Sequence, residues 1–206
     1  MCYGHRMRWI WLVLALGGCT IERRPPGEAY QDDFSTMSDV WKGTGATYGV
    51  VNGELVVSKA YNHPLWLSKA LPRDAVIELD AWSNDDAGDL KVEIWGDGKS
   101  FAQTTSYTAT SYVFIFGGWH NQISAIARMN EHGNDRRTRG DVHVEKGKKY
   151  HWRIARKGGH IDWQIDGKPF MSYDDRRPLE GADHSYLGFN DWEAELHFDN
   201  LKITPQ

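Results

Sequence analysis

Cysteine is nearly absent from this chain: Cys2 and Cys19 are the only two. No disulfide can therefore form after Cys19, and a thiolate zinc site is excluded there. Histidines are present, but His120, His132, His143 and His151 do not fall at zinc-ligand spacing. Helix-period patterning is missing from Tyr30 onward, which excludes a bundle. Long apolar runs are missing too. The one near the N-terminus, Trp9 to Leu16, has eight residues and is too short to span a bilayer. Basic charge is in deficit. The formal charge is −4, and beyond residue 18 there are 22 basic against 28 acidic residues. A nucleic-acid surface would be basic, so that partner class is excluded. No Ser-His-Asp ordering, Gly-rich phosphate loop or dinucleotide fingerprint occurs, and seven prolines are few for a chain with 21 glycines.

What is present begins with an export signal. His5, Arg6 and Arg8 precede the apolar run, which closes on Leu16-Gly17-Gly18-Cys19. A branched residue, two small residues and a cysteine resemble the bacterial lipoprotein cleavage site. The resemblance implies removal of residues 1–18 and lipidation of Cys19, with export to a bacterial membrane, the outer membrane or cell surface. Several acyl chains on one terminus give stable anchoring. Residues 19–29 are polar and carry Pro25-Pro26-Gly27, and read as a tether. One domain, residues 30–206, follows.

In that domain short alternating segments recur, among them Thr47–Val51, Glu54–Ser58, Ala75–Ser83, Leu90–Trp95, Tyr112–Phe116, Lys149–Arg156, His160–Ile165 and Ala194–Ile203. Asn52-Gly53, Asp97-Gly98, Gly158-Gly159 and Asp166-Gly167 supply hairpin turns between them. Some twelve strands at this spacing predict an all-β, two-sheet antiparallel sandwich or jelly roll.

The stretch from Tyr112 to His132 is the most informative. Tyr112 to Phe116 is apolar or aromatic on both faces, as a strand covered on both sides must be. Gly117-Gly118 breaks it. Trp119, His120, Asn121 and Gln122 follow, and Arg128 lies further on. A flat ring beside amides and a guanidinium can hold a sugar: the ring covers the C–H face, and polar groups take the hydroxyls. Asn190-Asp191-Trp192 repeats the combination after Gly188-Phe189. The expected carbohydrate site thus combines Trp119, His120, Asn121, Arg128, Asp191 and Trp192, flanked by Trp95. Arg136 to Arg139 is expected to be a basic patch in a loop, and Glu131-His132-Gly133 a polar loop.

The succession "VVNGELVV", "YHWRIARKGGHIDWQIDGKPFMSYDD" and "LGFNDWEAELHFDNLKI" resembles the concanavalin A-like lectin and glucanase jelly rolls over residues 30–206. That fold hosts lectins, hydrolases, lyases and adhesion modules alike. The laminarinase-type glycosidases it resembles carry Glu-x-Asp-x-(x)-Glu on one strand. Glu78-Leu79-Asp80 matches the first half, and Trp82 or Ser83 stands where the second Glu belongs. If an enzyme, its carboxylates would be Glu78, Asp80 and Glu93, brought together if the strands carrying them pair. Retaining hydrolysis needs two such groups about 5 Å apart. The resemblance also implies a structural calcium on Asp33 and Asp199, whose hard oxygens suit that ion. No other cofactor is expected. The expectation is a surface-displayed lipoprotein that binds a glycan or polysaccharide without cleaving it. The alternatives are a glycoside hydrolase or lyase, and a structural or protein-binding surface lipoprotein.

Overall fold

The computed structural model describes residues 27–104 and 107–206. The expected signal, Cys19 and most of the tether lie outside the described residues. In chain order the strands are β1 (Tyr30–Asp32), β2 (Trp41–Gly43), β3 (Thr47–Val51), β4 (Glu54–Ser58) and β5 (Leu65–Leu67). Then come β6 (Ala75–Ser83), β7 (Leu90–Gly96), β8 (Tyr112–Gly117), β9 (Ile123–Arg128) and β10 (Arg137–Arg139). The last five are β11 (Tyr150–Lys157), β12 (His160–Ile165), β13 (Lys168–Asp174), β14 (Tyr186–Asn190) and β15 (Glu195–Pro205).

These strands form the expected sandwich. One sheet runs β13-β12-β11-β6-β15-β4-β3, with β1 added against β15, and the other runs β10-β9-β8-β7-β14-β5-β2. All the pairings are antiparallel. Asn52-Gly53 and Asp166-Gly167 carry positive φ at both residues (54° and 79°, 52° and 72°), as a type I′ hairpin turn requires. Alternation decides which side chains enter the interlayer core. On β6, Ile77, Leu79 and Ala81 are buried there while Glu78 and Asp80 face outward. On β7, Leu90, Val92 and Ile94 face inward. Rings fill much of the space: Trp152 and Trp163 lie 4.6 Å apart, and Phe189 stacks on Phe198 at 4.1 Å. Each such side chain contributes roughly 1.5–3 kcal/mol through burial.

β8 is buried at every position. Its inner side chains join the core, and Val113 and Ile115 on the other face pack under Tyr107, Ala109, Ala125, Ala127 and Trp119. Tyr107 and Ala109, which precede β8, thus pack over part of the outer face of this seven-stranded sheet.

Three expectations need correction. First, β6 and β7 do not pair, because β6 lies between β11 and β15 in one sheet and β7 between β8 and β14 in the other. Glu78 and Asp80 therefore point outward from one sheet and Glu93 outward from the other, on opposite sides of the sandwich. Glu93 cannot pair with either Glu78 or Asp80, which share one face of β6. Second, Trp95, expected to flank the sugar site, lies in the interlayer core instead. The register of β7 against β14 shifts between Tyr186 and Leu187, and Trp95 takes φ 59°. This bulge turns the ring into the core, where it is 1% exposed. Third, Arg137–Arg139 is an edge strand against β9, not a loop. Arg139 pairs with Asp141 at 2.6 Å and donates to the Phe170 carbonyl at 2.8 Å.

Candidate functional site

The site is built outward from β7. Asp89 immediately precedes this strand, and Lys91 and Glu93 follow on its outer face, two residues apart each time. Lys91 is 2% exposed. Its ammonium donates to Asn62 Oδ1 at 2.8 Å and pairs with Glu131 Oε2 at 2.8 Å. Burial alone would lower its pKa, but Glu131 and Asp89 outweigh that and hold it above the usual lysine range. Glu93 is fully buried and held by three donors. Tyr107 and Asn190 reach Oε1 at 3.0 and 2.8 Å, and Ser111 reaches Oε2 at 2.6 Å. Burial pushes its carboxyl up, against the pull of these donors and of Lys91. Asp89 is also pushed up by burial, although Lys91 and the Trp192 N–H, which donates to its Oδ2 at 2.7 Å, oppose this.

Around this polar floor opens a cavity of about 520 Å³. Trp119, His120, Trp192 and His132 line it together with Asp89, Lys91 and Glu131. Trp119 and Trp192 thus come to one cavity from segments far apart in the chain. Trp119 arrives through an unusual turn. Gly117, Trp119, His120 and Asn121 have φ of 71°, 52°, 59° and 61°, a left-handed conformation that costs about 1–2 kcal/mol at each non-glycine residue. At Gly117 a Cβ would lie 2.5 Å from Asn121 Oδ1 and 2.6 Å from Val144 Cγ2, so no side chain fits there. The turn is held by Asn121, whose amide donates to the Val144 carbonyl and accepts the Val144 N–H, both at 2.8 Å. Strain sustained this way is concentrated at binding sites. The Arg136 guanidinium lies 4.9 Å from the Trp119 ring centre, and His132 meets the ring edge-on at 5.7 Å.

Of the expected sugar-site residues, the cavity gathers Trp119, His120 and Trp192. It does not gather the other four. Asn121 is consumed in bracing the turn. Arg128 follows Ile126 on the interlayer side of β9 and donates to Asp175 Oδ2 at 2.9 Å, beside the Tyr112 hydroxyl. Trp95 is in the core. Asp191 is 0% exposed and lies behind the rim, where its carboxylate accepts the Ala60 N–H. Among the described residues its other oxygen makes no hydrogen bond of ordinary geometry, although the Lys59 N–H also acts on the carboxylate. Burial pushes its carboxyl up to about 7, against the Ala60 N–H and with help from the Asp89 charge.

The cavity's own polar residues, Asp89, Lys91 and Glu131, were absent from the expected set. Lys91 carries a signal in hindsight: a charged side chain between Leu90 and Val92 of a strand buried at every position must find a partner. Asn62 carries none, because only the tertiary fold brings it to Lys91.

The outer face of the other sheet holds Glu78 and Asp80 with a different partner. Asp80 Oδ1 bonds His151 Nδ1 at 2.8 Å, and Asn200 donates to Asp80 Oδ2 at 2.9 Å. The residues expected to hold calcium are engaged separately. Asp33 caps the turn at Ser35 through a 3.0 Å bond, and Asp199 faces Lys149 at 3.4 Å. Among the described residues no group of three or more His, Cys, Asp or Glu is arranged to hold a metal ion.

Comparison with known proteins adds the following. Residues 89–202 match the family model described as "Farnesoic acid O-methyl transferase". No curated protein matches the sequence. Among solved structures the chain is similar to the carbohydrate-binding module CBM66 from Bacillus subtilis. The two share 15% identity and a TM-score of 0.57, over 82% of this chain and 99% of that one. It is similar to the Bacillus licheniformis β-glucanase at 10% identity and TM-score 0.63, over 87% and 99%. It is also similar to a Bacillus subtilis protein of unknown function with a galectin-like fold, at 12% identity and TM-score 0.57, over 87% and 97%. At these identities the likeness establishes the fold, which is the concanavalin A-like jelly roll.

Proposed function

The chain belongs to the family described as farnesoic acid O-methyl transferase, and from the cavity it carries we propose that it binds carbohydrate without cleaving it. The observation that supports this is the lining: Trp119 and Trp192 border a cavity whose floor presents Asp89, Lys91 and Glu131. Rings cover the C–H face of a pyranose, and charged groups take its hydroxyls through strong hydrogen bonds. The modules and glycanases among its structural neighbours agree with a glycan ligand. Binding without cleavage fits Glu93, whose carboxylate is fully buried and already holds three donors.

The family description suggests a second reading, methyl transfer to a carboxylic acid. Its weakness is electrostatic. Asp89, Glu93 and Glu131 surround a single ammonium, and an acid such as farnesoic acid would enter against them. Anchoring through Cys19 belongs to the same proposal and is supported by the Leu16-Gly17-Gly18-Cys19 run. Cys19→Ala should abolish labelling by a palmitate analogue.

The deciding experiment screens the domain against neutral polysaccharides by affinity electrophoresis, with an assay for released reducing ends and one for methyl ester from farnesoic acid and S-adenosylmethionine. Retardation that Trp119→Ala abolishes, with neither product formed, is the expected result. Reducing ends would mean a hydrolase, and methyl ester would mean the family description is literal.

A further inference from the structure

Most ring surface among the described residues is buried, but three large rings near the cavity are not. Tyr61, Phe101 and Trp192 are 40%, 36% and 41% exposed, and they gather at one turn. Tyr61 meets Trp192 edge-on at 5.3 Å, and Phe101 stacks on His63 at 5.3 Å. Between Tyr61 and His63 stands Asn62, which lines the cavity and accepts the Lys91 ammonium. The Ala102 N–H donates to the Asn62 carbonyl at 2.8 Å, which brings Phe101 to the same place.

The turn is held in a costly shape. Lys59, Tyr61 and Asn62 have φ of 51°, 48° and 63°, and a bulky side chain in that region is an outlier. The segment carrying Trp192 fixes it: Lys59, Tyr61 and Asn62 donate their backbone N–H groups to the carbonyls of Ala194, Trp192 and Asp191. The Asp191 carboxylate accepts from Ala60. Burying Tyr61 would relieve exposure, yet the backbone is braced so that its ring stays out beside Trp192. Strain maintained to present a ring is an expense with no return in folding.

We propose that this aromatic ridge is a continuation of the cavity, and that the occupant is a chain of neutral sugar units running from the cavity across Trp192, Tyr61 and Phe101. The inference rests on the carbohydrate reading above and deepens it: the ligand is a polysaccharide bound along several consecutive units, not a single sugar or a chain end. The ridge is contiguous with the cavity through Trp192 and Asn62. Its exposed rings, beside one exposed charge of each sign at Lys59 and Glu193, suit the alternating C–H and hydroxyl faces of an uncharged glycan chain. The acidic cavity beside it disfavours a polyuronate.

The test is titration calorimetry with neutral oligosaccharides of two and six units, drawn from cello-, laminari- and fructo-oligosaccharide series, on the wild-type domain and three variants. In the wild type the six-unit ligand should bind about tenfold more tightly than the two-unit one, the gain expected of two further stacking rings. The Tyr61→Ala/Phe101→Ala variant should lose that gain and keep its affinity for the two-unit ligand. Trp119→Ala should lose both. Phe101→Ala alone, whose backbone is not left-handed, guards against misfolding of the double variant and should lose part of the gain. Equal affinity for both lengths in the wild type, or an undiminished gain in the variants, overturns the ridge while leaving the cavity reading intact. Absence of binding by every ligand to the wild type overturns both.

Discussion

The Asp191 carboxylate accepts the Ala60 N–H across 131 residues of chain, and it does so in a fully buried place where, among the described residues, its second oxygen makes no hydrogen bond of ordinary geometry. One side chain thus couples the Trp192 segment to the turn of Tyr61 and Asn62, and its ionisation bears on both.

The pH dependence of stability follows with a definite sign. Burial raises the Asp191 carboxyl to about 7 in the folded protein, above its unfolded value of about 3.9. Between those limits the folded state holds a proton that the unfolded state has released, so this group's contribution falls as pH rises from about 4 to 7. Asp191→Asn keeps an oxygen for Ala60 and removes the charge. Its melting temperature should exceed that of the wild type at pH 8 and converge with it near pH 4. A variant less stable at pH 8 would show that the ionised carboxylate is favourable where it stands.

Lys91 and Glu131 make the second prediction. Their side chains are 3% and 12% exposed. Lys91→Met strands Asp89, Glu93 and Glu131 around an empty position and should cost about 3–5 kcal/mol in denaturant unfolding, the usual penalty for breaking a buried pair. Adding Glu131→Gln should recover about 1 kcal/mol or more of that loss, since the two sites are in contact. Strict additivity of the two substitutions would contradict the geometry.

The two tryptophans with opposite fates make the third. Trp95 is buried, donates its indole N–H to the Pro72 carbonyl at 3.0 Å, and has the Arg156 guanidinium 4.9 Å from its ring centre. Trp95→Ala should cost about 3–5 kcal/mol and leave glycan retention intact in the fraction that folds. Trp119→Ala should shift the melting temperature less and abolish retention. Reversal of these two outcomes would return Trp119 to the core.

Ligand charge makes the fourth. At pH 7 a neutral polysaccharide should be retained in affinity electrophoresis, and a polyuronate of similar length should not. Raising the salt should leave the neutral complex largely unchanged, because stacking is not screened. Preferential retention of the polyuronate would show that Lys91 and the Arg136 guanidinium on Trp119, not the carboxyls, set the charge that the ligand meets.

Local chemistry determined the fold class, an antiparallel β sandwich, though not which strands pair. Period-two alternation, missing helical period and the Asn-Gly and Asp-Gly turns are short-range properties, and the sandwich follows because each strand has one apolar face to bury. It also marked Trp119 and Trp192, since a ring followed or preceded by polar residues after a glycine is a local pattern. Only the tertiary structure decided what these residues do. A single bulge, invisible to alternation, turned Trp95 inward. The position of β6 and β7 in different sheets separated Glu78 and Asp80 from Glu93, and sheet membership depends on pairings distant in sequence. The cavity floor joins Asn62, Lys91 and Glu131 because burial of one ammonium on a hydrophobic strand demands partners, and three-dimensional packing alone selects which ones arrive.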